Sequence, residues 1–158
     1  MKTSFTKLDV VLLLSRSTVA LVMFAHGAQK LFGWFGGFGF EGTMQFFTQT
    51  IGLPYAAGLT IILLETAGML FLAAGLFTRY LSAGVIIIML GAIFTVHLPN
   101  GFFMNWHGNL QGEGFEMHIL LISLAFINTM YEGGALSLQD WASKKLRKAH
   151  INDGMFFI

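Results

Sequence analysis

The chain has 158 residues, 55% hydrophobic and only 11% charged, against about a quarter charged in a soluble domain, which excludes an ordinary soluble protein. A formal net charge of +1 excludes a global electrostatic pull towards nucleic acid. With no cysteine, the chain itself has no disulfide exchange, thiolate metal site or Cys nucleophile. What remains is one membrane domain, residues 1–158, with room for about four spans of roughly 20 residues.

Lys2 and Lys7 flank an apolar run that passes Arg16 and ends at Phe32. It is too long for the apolar region of a signal peptide, and no small-residue cleavage site ends it. It therefore reads as the first span, about residues 8–32, with Thr3, Ser4 and Thr6 as candidate caps. A glycine- and aromatic-rich stretch from Gly33 to Gly42 follows. Thr43 to Ile51, with Phe46, Phe47 and Ile51 on one face, reads as a short outer-side interfacial or re-entrant helix. Pro54 suits the first turn of the second span, about 55–77. Thr78-Arg79-Tyr80 reads as a tight turn before the third span, about 81–98, which Pro99-Asn100-Gly101 stops. A polar-aromatic loop over 102–113 precedes the fourth span, about 114–131, ended by Gly133-Gly134. From about 136 to 149, Leu138, Trp141 and Leu146 stand against Lys144, Lys145, Arg147 and Lys148, the pattern of a basic amphipathic helix on a membrane surface. His150 and the Asn152-Asp153-Gly154 tail read as solvated.

The expected fold is all-α: a four-transmembrane-helix bundle with a short outer-side helix and a C-terminal amphipathic helix. Lys2 and Lys7, Arg79, and Lys144 to Lys148 all fall on one side, which the positive-inside rule assigns to the cytoplasm together with both termini. Trp34, Phe38, Phe40, Phe102, Phe103 and Trp106 then lie at the opposite interface, where aromatic belts form. Lys30 is the basic residue that breaks this pattern.

Charged and titratable side chains within the apolar runs mark the places to search for a site, because such groups are costly in hydrocarbon and face the bundle interior. Counting about 1.5 Å per helical residue puts Arg16 roughly 12 Å above the start of its span and Glu65 roughly 15 Å below the start of its own. The two nearly meet at that depth, so an Arg16–Glu65 ion pair is expected, either as a brace between helices or as part of a proton or substrate site. His26, His97 and His118 fall in the outer third of three different spans, with Glu113 and Glu116 nearby. Neutral imidazoles there suit a metal, a haem iron or a quinone carbonyl. Glu116 and His118 diverge by about 200° around a helix, so they cannot both point inwards. His26 and Lys30 share a face, and the Gly27-Ala28 step between them suits close helix packing. Gly37-x-Gly39-x-x-Gly42 matches a dinucleotide-binding pattern on paper, but no strand precedes it, and no NAD site is expected.

The run from Arg16 through Ala25-His26-Gly27-Ala28-Gln29-Lys30-Leu31-Phe32-Gly33-Trp34-Phe35-Gly36-Gly37, together with Glu65-Thr66-Ala67-Gly68, Leu76-Phe77-Thr78-Arg79, Asn100-Gly101-Phe102-Phe103 and Gly112-Glu113-Gly114-Phe115-Glu116-Met117-His118, resembles the DoxX family of small bacterial membrane proteins. The resemblance spans about Leu8 to Tyr131. It implies a multi-pass protein of the bacterial cytoplasmic (inner) membrane. Family members are linked with quinone-reducing thiosulfate oxidation, oxidative-stress complexes, or aromatic and quinone detoxification, so membership alone does not choose an activity.

The leading expectation is a quinone-linked redox protein or oxidoreductase subunit. His26, Lys30, His97, Glu113 and His118 would hold a quinone headgroup in the outer half of the bundle. His26, Glu65, Glu116 and His118 would serve the chemistry. A haem or non-haem metal on His26, His97 and His118 is a variant of this expectation. Electrons would come from a partner oxidoreductase subunit or a bound carrier. The rival expectation is a non-catalytic membrane anchor or assembly subunit. A third is a small transporter or channel, which four short helices would serve only as a homo-oligomer.

Overall fold

The computed structural model describes residues 5–154, and the described residues are helical with no strand. Helix α1 (Lys7–Phe32) opens on a capping box: Thr6 accepts from the Asp9 amide at 3.2 Å, and the Asp9 carboxylate accepts from the Thr6 amide at 2.9 Å. Thr6 is thus the cap; Thr3 and Ser4 lie outside the described residues, as does Lys2. Helix α2 (Gly39–Gln45) runs on into a π turn over Phe46–Thr50. Its buried apolar side chains are Met44 and Phe47, which pack on Ile62, while Phe46 points away.

Helix α3 (Tyr55–Ala74) contains a π turn at Leu64–Gly68, and α4 (Thr78–Asn100) contains one at Ile93–His97. The turn between them is Gly75–Phe77, and Thr78-Arg79-Tyr80 form the first turn of α4. Gly75 ends α3 three residues earlier than the sequence suggested. It adopts φ 73°, and the Gly75 and Leu76 amides bond back to the Leu72 and Phe71 carbonyls at 2.9 Å each. This is a left-handed helix stop that only glycine enters without strain. Helix α5 (Glu116–Tyr131) follows the 101–115 loop. Helix α6 (Leu138–Gly154) is capped by Ser137, whose hydroxyl accepts from the Asp140 amide at 3.1 Å. The side chains of Lys148, His150 and the Asn152–Gly154 tail lie outside the described residues.

α1, α3 and α4 are each long and apolar enough to cross a membrane; α5, with 16 residues, is apolar but shorter. α1 packs against α3 and α5, and α4 packs against the same two, so the four helices form a ring. Gly27 lets α1 approach α3 closely: a Cβ there would run into the Glu65 carbonyl and lie 2.8 Å from Thr66 Cγ2. The core is a layer drawn from all four helices: Val19, Ala20 and Met23; Met69 and Leu72; Val85 and Met89; Leu121 and Ala125. Polar groups occupy the bundle on both sides of this layer.

Candidate functional site

At the end of the bundle near α6, Arg16 is buried, with 2% of its surface exposed. Its guanidinium donates to the Gly133 carbonyl at 2.5 Å, to the Leu136 carbonyl, and through Nε to the Ala73 carbonyl at 3.4 Å. Among the described residues it forms no ion pair. Ala73 lies in the last turn of α3 and Gly133 just beyond α5, so the cation sits where two helices present unsatisfied carbonyls and the negative ends of their dipoles.

The expected Arg16–Glu65 pair therefore does not form. Glu65, 1% exposed, pairs with Lys30 instead. Helical side chains lean towards their own N-terminus. α1 and α3 run in opposite directions, so Arg16 leans towards the α6 end and Glu65 towards the loop end. Lys30, entering from near the loop end of α1, leans inwards to meet Glu65. Depth counted along Cα positions missed this divergence. The π turn that carries Glu65 is a local widening of the helix, a feature frequent at functional sites.

The histidines lie at the same, loop end of the bundle. The His97 and His118 rings pack with centroids 4.1 Å apart. His97 ends the π turn of α4, and its Nδ1 lies 2.8 Å from the Glu113 carbonyl. A carbonyl can only accept, so Nδ1 carries the hydrogen; in the neutral ring Nε2 then presents a lone pair. His118 Nδ1 is buried without a hydrogen-bond partner. His26, one turn before Lys30, keeps an exposed side chain at the edge of the group.

Two expected members turn out to hold the loop. Glu113 accepts from the Asn105 amide at 2.7 Å; Glu116 accepts from the Met104 amide at 2.9 Å and from Trp106 Nε1 at 3.2 Å. Glu113 belongs to the 101–115 segment itself, and Glu116, in the first turn of α5, leans back towards that segment. The three-histidine metal site is not formed either: among the described residues no group of three or more His, Asp or Glu could hold a metal ion.

Sequence reasoning passed over Thr78, Ser82 and Asn128, which are buried on the α6 side of the apolar layer with side-chain atoms lacking partners. A single small polar residue within an apolar run carries no distinctive signal. Thr78 and Ser82 are four apart, which does place them on one face of α4.

A family model for DoxX matches residues 11–98. The chain is 34% identical over 116 residues to a Bacillus subtilis (strain 168) protein described as "Putative oxidoreductase CatD", covering 73% of this chain and 76% of that protein. No solved structure matches.

Proposed function

Because the chain belongs to the DoxX family, we propose that it is a redox-linked protein of the bacterial inner membrane that binds a quinone or quinol headgroup at the loop end of its bundle. All four ring helices span, and both termini face the cytoplasm. Lys7, Arg79, Lys144, Lys145 and Arg147 at one end support that orientation, against Lys30 at the other. The description of the relative as an oxidoreductase supports the redox class.

The observation that carries the reading is His118 Nδ1, buried without a partner, its ring packed on His97 at the same end of the bundle as the Lys30–Glu65 pair. An unsatisfied buried polar atom costs about 1–3 kcal/mol, and a headgroup oxygen would satisfy it. Lys30 Nζ offers hydrogens beyond the one given to Glu65 and the His118 ring offers one, whereas His97 has given its own to the Glu113 carbonyl and presents an acceptor. A quinone supplies two-electron, two-proton chemistry when bound. Lys30 and His118 orient it, and Glu65 fixes Lys30 and stands ready to exchange a proton through it. His26, at the exposed edge, meets a headgroup arriving from the lipid. Electrons come from a partner oxidoreductase subunit or another bound carrier.

The test is quinone binding by the protein in mild detergent with lipid retained, followed by a reduced-minus-oxidised near-ultraviolet spectrum. Wild type is expected to carry a quinone signal. His118→Phe keeps a ring against His97 and removes the unpartnered Nδ1, so it should leave folding intact, and His118→Ala and His118→Phe should both weaken binding about tenfold. A flat spectrum, or unchanged affinity in His118→Ala and Lys30→Met, would overturn the reading in favour of an anchor or assembly role.

A further inference from the structure

Among the described residues, α6 packs least against the rest of the bundle. Gln139 Oε1 accepts from the Phe77 amide at 3.0 Å and ties it to the α3–α4 turn. Its large apolar side chains stay out: Leu138, Trp141 and Leu146 are 52%, 62% and 71% exposed. Lys144, Lys145 and Arg147 are exposed beside them. Lys144 pairs with Asp140 at 2.5 Å, whereas Lys145 Nζ hangs 5.3 Å from the centroid of the Trp141 ring.

Where α6 meets the bundle, two grooves of about 360 and 370 Å³ open. The first is almost wholly apolar, running from Ala74 and Leu136 to Leu138 and Trp141. The second sets Phe77 and Leu146 beside Arg79, Tyr80 and Ser143. Arg79 lies 3.8 Å from Glu132, and both are at least half exposed in side chain, so the guanidinium remains open to another anion.

We propose that α6 and the α3–α4 turn form a binding site for an anionic phospholipid. Arg79 and Lys145 face the headgroup phosphate, Tyr80 and Ser143 add hydroxyls, and the apolar grooves take the upper acyl chains. A basic set interleaved with Trp and Leu on one helix is the composition of an element lying in the headgroup layer. α6 also begins seven residues after α5 ends, at the level where the spans leave the membrane. The proposal rests on the membrane placement and is independent of the quinone site, so failure of one leaves the other standing.

The test uses the full chain with Trp34→Phe and Trp106→Phe, leaving Trp141 as the reporter, in nanodiscs doped with brominated phosphatidylglycerol or brominated phosphatidylcholine. Quenching is expected to be at least about twofold stronger with phosphatidylglycerol, and raised salt is expected to collapse that difference. Arg79→Gln with Lys145→Gln and Arg147→Gln should abolish it while leaving near-wild-type helicity. Equal quenching by the two lipids would overturn the proposal. So would quenching by neither, which would place α6 clear of the bilayer as a surface for a protein. A preference that persists in high salt, in wild type as in the triple variant, would also overturn it.

Discussion

Lys30 on α1 and Glu65 on α3 lie 35 positions apart and join as an ion pair whose acidic member is almost fully buried. Two charges withdrawn from water in this way add little net stability as a pair, yet either one left alone is severely disfavoured.

Lys30→Met should therefore cost about 3–5 kcal/mol, because it strands the Glu65 carboxylate, while Lys30→Met with Glu65→Leu should return close to wild-type stability. Unfolding in detergent micelles, followed by circular dichroism, measures both. A double variant no more stable than the single one would contradict the pairing.

Arg16 and Glu65 share no partner, so their substitutions should not couple. In a cycle of Arg16→Gln and Glu65→Gln the stability changes are expected to add within about 0.5 kcal/mol. A larger coupling would restore the pairing that depth counting suggested.

Gly27 and Gly91 make a paired comparison. Gly27→Val drives a side chain into the Glu65 carbonyl and Thr66, and overpacking of this kind costs about 1–3 kcal/mol. At Gly91 a methyl group would meet no neighbour within 4 Å, so Gly91→Ala should be neutral or gain up to about 1 kcal/mol from helix propensity. Thermal midpoints of the two variants in the same detergent decide the matter.

Much of the architecture is legible in the chain itself, because long apolar runs punctuated by Gly and Pro leave few alternatives. The ends of α1 and the start of α3 fell within a residue or two. The α3–α4 turn slipped because Arg79 and Tyr80 look like loop residues, whereas the left-handed Gly75 does the stopping. The site was half legible. Lys30 stood out as the misplaced cation and the histidines as a group, but pairing depends on which way each side chain leans, and that follows from helix direction rather than from spacing. Glu113 and Glu116 read as proton carriers by residue type, and in the fold both carboxylates accept from amides of the 101–115 segment.

The nine-residue apolar layer between Arg16 and the Lys30–Glu65 pair has an electrical consequence. In an energised membrane most of the voltage falls across the driest, least polarisable slab, and here that slab separates the two charged zones. Carrying one elementary charge through a full 100 mV takes about 2.3 kcal/mol. A proton that reaches Glu65 from the loop end never crosses that slab, so protonation of Glu65 by that route is nearly insensitive to the membrane voltage.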